Sequence, residues 1–128
     1  MAAQFRRAAF HRAFGRKVVR TAAIFRNCNL ELAEMAGAGL AGCELSASRL
    51  READLTGADL EGADLTGADL FQAIIDGARL KGADLRGAEV SGLDLRRAAS
   101  IQDLKINADQ QHRLLAAMGL DVYPAPTS

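Results

Sequence analysis

The chain has 128 residues, with two Cys, no Trp, and sixteen acidic residues balanced by sixteen Lys or Arg. This length fits one domain, and the longest uncharged stretch, residues 35–43, is too short to span a membrane as a helix. The sequence shows no signal-peptide pattern. We therefore expect a soluble, cytoplasmic protein that does not enter membranes.

The zero net charge hides a strong asymmetry along the chain. Residues 1–27 carry seven Arg or Lys and no acidic residue, whereas residues 28–94 carry thirteen Asp or Glu and five Arg or Lys. A basic head thus precedes an acidic body. Because the body is acidic, we do not expect direct nucleic-acid binding by it.

Residues 1–22 form the basic N-terminal segment. The pair Ala3/Phe5 shares the five-residue phase of the repeats that follow, which favours degenerate first repeats or a cap on the open end of a stack. The four-residue spacing of Phe10 and Phe14 fits a basic amphipathic helix instead. An arm that binds nucleic acid or membranes, or a targeting peptide, is a further alternative.

A five-residue repeat fills the centre of the chain. Residues 53–92 read ADLTG ADLEG ADLTG ADLFQ AIIDG ARLKG ADLRG AEVSG, and the same alternation of a small and a large apolar residue extends from Ala23 to Arg97. A helix repeats apolar residues near every 3.6 positions and a strand every second position, so a period of five fits neither. The repeat itself is therefore the structural unit.

This pattern resembles the pentapeptide-repeat family, whose usual unit is A(D/N)LxG. The resemblance implies an all-β solenoid, a right-handed quadrilateral β-helix in which four units form one coil. The central aliphatic residue and the small residue two positions before it would point inward, and the other three would point outward. We assign the β-helix to residues 23–106, with Cys28 and Cys43 as small core residues.

Outward side chains four units apart are expected to stack in columns. The candidate partner-binding residues are Glu44, Asp64 and Asp84 in one column and Glu34, Asp54 and Asp94, with Ile74 between the last two, in another. One interpretation is that these carboxylates accept hydrogen bonds from the backbone at the corners and keep the stack soluble. The other is that an acidic column imitates the phosphates of DNA.

Phe71 and Ile74 are apolar at outward positions that are otherwise mostly polar. They are either local fillers at a corner or an apolar anchor in a partner contact. After Leu95 the five-residue phase slips by one residue, which predicts a bulge near Ala98.

The C-terminal segment changes to a helical period. Asn107 and Gln110 have the spacing of an N-cap and its N3 partner, and Gly119 is a good residue to end the helix. We therefore predict a helix over 107–119 that caps the stack, with Leu120 closing back on Leu115, followed by a tail over 120–128. The candidate dimer interface consists of Leu114, Leu115, Met118, Leu120, Val122 and Tyr123.

The C-terminal part of the sequence resembles one group within the pentapeptide-repeat family. The run LDLRRAASIQDLKINADQQHRLLAAMGLDV is similar to the end of the quinolone-resistance (Qnr) pentapeptide proteins, through Gln111, Leu114, Leu115, Gly119, Leu120 and Val122. That resemblance implies a homodimer joined by its C-terminal helices that mimics DNA, binds DNA gyrase or topoisomerase IV and modulates quinolone sensitivity. The chain has fewer coils than a typical member and no loop inserted between coils.

The sequence offers no catalytic constellation. It has no nucleophile–base pair, no metal-ligand spacing and no phosphate-binding loop, so we expect neither enzyme activity nor a cofactor or metal. The alternative to a topoisomerase-binding DNA mimic is a general β-helical scaffold for protein–protein interaction.

Overall fold

The structure, a computed structural model, describes residues 25–123. The predictions for residues 1–22 and for the end of the tail therefore lie outside the described residues. Parallel β-bridges of single residues join positions 20 apart, such as Glu44 to Asp64 and Asp64 to Asp84, so four five-residue units complete one coil. The remaining bridges of this spacing join residues 29 and 49, 34 and 54, 39 and 59, 49 and 69, 54 and 74, 59 and 79, and 69 and 89.

The inward positions of the repeat form the core, as predicted. Every central residue from Leu30 to Val90 is buried, and so is every small residue two positions before it. Leu93 occupies a small position and is buried as well. Large and small side chains thus alternate along each inner wall, which lets successive coils pack closely.

Ser48 is the polar member of these inward positions within the described residues. Its hydroxyl donates a hydrogen bond to the Phe25 carbonyl and accepts one from the Cys28 N–H at 3.1 Å. Both partners lie about one coil earlier in the chain. The buried hydroxyl therefore carries no unpaired polar group into the core.

The fifth position of each unit from Asn27 to Gly92 adopts the left-handed backbone conformation, and so does Asp103 after the phase slip. Nine glycines of the stack have φ between 65° and 79°, and six other residues at the same position have φ between 52° and 60°. Those residues are Asn27, Leu32, Ala47, Glu52, Gln72 and Asp103. Glycine reaches this conformation at no steric cost, whereas side chains with a Cβ are strained there.

The predicted phase slip is confirmed and has a defined shape. A 3₁₀ helix at Leu95–Arg97 inserts one residue, and the next bridges, Arg79 to Ser100 and Asp84 to Lys105, span 21 residues. The insertion precedes Ala98, which already lies beyond the turn. The expectation that Asp94 continues the column of Glu34, Asp54 and Ile74 is wrong, because the turn takes Asp94 out of the ladder, which has no bridge to Ile74.

A second 3₁₀ helix, Ala108–Gln110, leads into α1, Gln111–Ala117. The Gly119 N–H donates to the Ala116 carbonyl and the Leu120 N–H to the Leu115 carbonyl, which is the predicted Schellman ending. Leu114 is buried against the last coil. The described residues contain no helix that is both long and apolar enough to cross a membrane.

Gln110 closes the C-terminal end of the stack with its side chain. The Asn107 N–H donates to Gln110 Oε1 at 2.6 Å, as the predicted capping pair requires, and Gln110 Nε2 donates to the Leu85 and Ala88 carbonyls at 2.6 and 2.9 Å. Asn107 Oδ1 accepts the Gly87 N–H at 2.6 Å. Two carboxamides thus replace peptide groups that a further coil would supply.

Candidate interaction surfaces

Among the described residues, seven outward acidic residues accept hydrogen bonds from the backbone at the corners of the coils. The first carboxylate oxygen of Asp54, Asp64 and Asp84 accepts the backbone N–H two residues later at 3.0–3.1 Å. The same bond forms at Asp59, Asp69, Glu89 and Asp94. These bonds are the local role of the first interpretation of the acidic columns, and they form at Asp54, Asp64 and Asp84 but not at Glu34 or Glu44.

The column of Glu44, Asp64 and Asp84 is flanked by positive charge. Arg26 Nε lies 3.1 Å from Glu44, and Arg86 lies 2.6 Å from Asp84. Lys105 continues the column beyond Asp84. The hydrogen bond from the Arg86 side chain, aided by its backbone N–H and by the charges of Arg86 and Lys105, lowers the pKa of Asp84. This column therefore presents paired charges more than a continuous negative stripe.

The second column differs at its two ends. Neither Glu34 nor Asp54 forms an ion pair with a described residue, and Glu34 is exposed. Asp94 is instead held by Arg96 at 2.8 Å and approached by Arg97 at 3.8 Å. The Arg96 side-chain hydrogen bond is the main cause that lowers the pKa of Asp94 to about 2. Unpaired negative charge lies at the Glu34–Asp54 end.

The two apolar outward residues have different surroundings. The Arg51 guanidinium lies 4.5 Å from the centroid of the Phe71 ring and also pairs with Asp69 at 3.0 Å, so Phe71 is half-buried. Ile74 is 45 % exposed and stacks directly on Asp54 of the preceding coil. Ile74 is thus an open apolar residue beside the unpaired carboxylates, and Phe71 is a partly covered one.

The candidate dimer residues also differ in their exposure to solvent. Leu114 belongs to the core, and Leu115, Met118 and Val122 are half-buried. Leu120 and Tyr123 are exposed, together with Ile101 and Ile106 of the slipped coil. The sequence reasoning missed Ile101 and Ile106 as surface residues, although their position after the phase slip was the signal that their coil is irregular.

The structure also contains an opening that the sequence did not predict as a site. A cavity of about 270 Å³ lies between residues 72–76 and the segment around Asp94 and Arg97. It adjoins Ile74 and results from the same turn that interrupts the column.

The described residues contain no group of three or more His, Cys, Asp or Glu placed to hold a metal ion. Cys28 and Cys43 are both buried, and neither forms a disulfide.

The family model for pentapeptide repeats matches eight copies, over residues 21–51, 33–70 and 63–98. The chain belongs to the pentapeptide-repeat family. Membership implies a right-handed β-helical solenoid, in agreement with the 20-residue bridge spacing. Comparison with curated protein sequences gives no match.

Several solved structures are similar to the chain. QnrB1, a plasmid-mediated fluoroquinolone resistance protein, is 20% identical over 92% of this chain and 64% of its own, with a TM-score of 0.48. Rfr23, a pentapeptide repeat protein from the cyanobacterium Cyanothece 51142, is 30% identical over 68% of this chain and 58% of its own, with a TM-score of 0.37. A pentapeptide repeat protein from the thylakoid lumen of Arabidopsis thaliana is 26% identical over 90% of this chain and 72% of its own, with a TM-score of 0.39.

Proposed function

We propose that this pentapeptide-repeat protein is a non-enzymatic interaction module that binds a partner protein around Ile74. The observation that supports the proposal is an exposed isoleucine in a ladder position that is acidic in the two preceding coils, Glu34 and Asp54. A solvent-exposed aliphatic side chain gains free energy when a partner covers it. On the side of the preceding coil, the backbone of Ile74 is held by hydrogen bonds to Ala53 and Leu55.

The charges beside Ile74 define the chemistry of the partner. Glu34 and Asp54 form no ion pair within the described residues and precede Ile74 at one-coil intervals, about 4.8 Å each. A complementary partner would place an apolar side chain on Ile74 and Lys or Arg side chains along the two preceding coils, at Asp54 and Glu34. Such charge pairs contribute mainly to the rate of association and to specificity.

The test compares two exposed isoleucines. Ile74→Asp should weaken binding of the partner at least about tenfold, which corresponds to the loss of one good interface anchor. Ile101→Asp is the matched control, because Ile101 is 46% exposed but lies in the slipped coil. Glu34→Gln with Asp54→Asn should lower the salt dependence of binding. Equal binding by Ile74→Asp and the control would reject this surface.

A second candidate function is DNA mimicry toward DNA gyrase or topoisomerase IV. It is supported by the excess of acidic residues in 25–123, sixteen against ten Arg or Lys, and by the Qnr-like tail. The corner hydrogen bonds do not remove the charge of the carboxylates, so the coils still carry negative charge outward. The ion pairs of Glu44 and Asp84 weigh against the first column as the mimic.

The decisive measurement is DNA supercoiling by purified gyrase with this protein titrated in, with and without a fluoroquinolone. A mimic should inhibit or rescue the enzyme, and the triple variant Glu44→Gln, Asp64→Asn, Asp84→Asn should lose the effect. The Asn side chains keep an oxygen that can accept the corner N–H, so the variant changes charge more than fold. An unchanged effect in the triple variant would exclude this column.

We also propose a homodimer through the C-terminal end, in the cytoplasm and without membrane association. Leu120 and Tyr123 are exposed beside half-buried Leu115, Met118 and Val122, and a two-fold contact would cover them. Sedimentation should show a dimer that becomes a monomer in Leu120→Asp. A monomer in the unaltered protein at all concentrations would reject the dimer.

A further inference from the structure

Within residues 25–123 the ladder between coils is interrupted once before its end, on one side of Ile74. Towards the preceding coil, the Ile74 N–H donates to the Ala53 carbonyl at 2.9 Å, and the Leu55 N–H donates to the Ile74 carbonyl at 2.8 Å. Towards the following coil, the two matching bonds do not form. The Ala73 carbonyl and the Ile75 N–H have no hydrogen-bond partner among the described residues.

The 3₁₀ helix at Leu95–Arg97 creates this opening. Within this helix the Asp94 carbonyl accepts the Arg97 N–H at 3.1 Å. Asp94 therefore forms no backbone hydrogen bond with Ala73 or Ile75 of the preceding coil. The ladder is intact on both sides, because the Gln72 N–H donates to the Ser91 carbonyl at 3.0 Å and the Gly77 N–H to the Arg97 carbonyl at 2.8 Å. The opening is therefore a slot closed at both ends, and a strand cannot run through it.

The slot presents an unpaired acceptor and an unpaired donor in the wall of a cavity of about 270 Å³. Ala73 and Ile75 are only 5% and 3% exposed, and both line the cavity. Backbone groups in such positions require a partner, since leaving them unpaired costs free energy. The complement is a group that carries an N–H donor and a C=O acceptor side by side, which is a carboxamide.

The chain itself fills a missing coil in this way at its C-terminal end. Gln110 Nε2 donates to the Leu85 and Ala88 carbonyls, and Asn107 Oδ1 accepts the Gly87 N–H. Side-chain carboxamides therefore substitute for the peptide groups of an absent neighbour in this fold. The slot beside Ile74 has the same need, and the carboxamide of Gln72, which also lines the cavity, forms no hydrogen bond with the Ala73 carbonyl or the Ile75 N–H.

Charge at the slot favours a neutral occupant. Arg97 lies 3.4 Å from Asp76 and 3.8 Å from Asp94, so both carboxylates of the cavity wall are already paired with a guanidinium. An ammonium or a carboxylate entering there would have to break these pairs. The exposed Ile74 side chain supplies an apolar wall for the methylene groups of the entering residue.

We propose that this slot binds the carboxamide side chain of an Asn or Gln residue of a partner protein. The inference rests on the proposed function, since the slot adjoins the Ile74 surface, and it adds a specificity-determining contact to it. The carboxamide donates to the Ala73 carbonyl and accepts from the Ile75 N–H, while its aliphatic stem lies on Ile74.

The test titrates the full-length, ¹⁵N-labelled protein with propionamide and, as matched controls, sodium propionate and 2-propanol. In the free protein the Ile75 N–H should exchange with solvent at least tenfold faster than the N–H of Leu55, which is bonded in the same position one coil earlier. Propionamide should shift the Ile75 resonance in a saturable way, and at about ten times its Kd it should slow Ile75 exchange about tenfold. The controls should do neither.

Three results would overturn the proposal. One is an Ile75 N–H as protected as that of Leu55 in the free protein, which would mean that the ladder is closed. Another is an identical response to propionamide and propionate, which would mean that the slot does not select a carboxamide. No response to either compound would likewise overturn the proposal and leave water as the occupant.

Two variants separate this inference from the proposed function. Deletion of Arg96 removes the inserted residue, so it should restore the 20-residue spacing, protect Ile75 and abolish the propionamide shift. If that variant does not fold, the titration of the unaltered protein still decides. Phe71→Ala lies outside the slot and should keep the full propionamide response, whatever it does to partner binding.

Discussion

Residues 53–92 and residues 93–123 satisfy the same backbone requirement by different means. In the first region each coil bonds to the next through peptide groups at regular 20-residue spacing. In the second, a one-residue insertion shifts the register, and the side chains of Asn107 and Gln110 replace a coil that is not there. The repeat therefore specifies stacking, whereas the end of the stack depends on a few individual residues.

The largest effect is expected from a charge in the regular region. Leu65 is buried at the centre of its unit with apolar neighbours one coil above and below. Leu65→Lys should unfold the stack at neutral pH, because destabilisation above about 4 kcal/mol is typical of an unpaired buried charge. Circular dichroism and urea titration measure this. A folded, soluble Leu65→Lys protein would contradict the inward assignment.

Removing the end cap should cost less. Gln110→Ala leaves the Ala88 carbonyl without a partner and exposes the last coil, and we expect a loss of about 1–3 kcal/mol in the free energy of unfolding. Gln111→Ala is the control, because Gln111 is the exposed neighbouring residue at the start of α1. If both variants have the same stability, the carboxamide does not close the stack.

The sequence predicted the regular region almost completely, and the reason is physical. A period of five with alternating large and small residues leaves few ways to bury Leu55 or Ala58, so core, corner and column positions follow together. The phase slip after Leu95 was predicted too, since the aliphatic residues leave the register. The loss of hydrogen bonds at Ala73 and Ile75 was not predicted. Which peptide groups lose their partners depends on where the 3₁₀ turn places the extra residue, and no residue pattern in the sequence marks Ala73 or Ile75.

The function of the acidic residues was predictable only as two alternatives. An Asp in the second position of a unit can accept a corner hydrogen bond and can also contribute to a negatively charged surface. The amino-acid sequence alone does not distinguish these two roles. The distinction depends on neighbours such as Arg26 and Arg86, which approach Glu44 and Asp84 across or along the coils. A long Arg side chain can reach several carboxylates, and the folded structure decides which one it pairs with. The spacing of residues in the sequence therefore does not predict these ion pairs.

A smaller effect separates glycine from alanine at the same corner in neighbouring coils. Gly67 and Ala47 both have positive φ, and a Cβ added at Gly67 meets nothing within 4 Å. Gly67→Ala should therefore destabilise the protein by about 1 kcal/mol through backbone strain alone, and Ala47→Gly should stabilise it by less than about 1 kcal/mol. Thermal unfolding of both variants measures this. Equal and unchanged melting temperatures would mean that the left-handed corner is not strained in alanine.

The smallest expected effect is on the pH dependence of stability, through Asp94 at the border between the two regions. The pKa of Asp94 is lowered to about 2, so the folded protein binds a proton there less readily than the unfolded chain. The stabilisation is therefore present above the ordinary Asp pKa near 4 and is lost as pH falls towards 2. Asp94→Asn keeps an oxygen for the Arg96 N–H but cannot ionise, so its melting temperature should fall less steeply between pH 5 and pH 2 than that of the unaltered protein. Parallel curves would show that the Asp94–Arg96 pair does not stabilise the turn that opens the ladder.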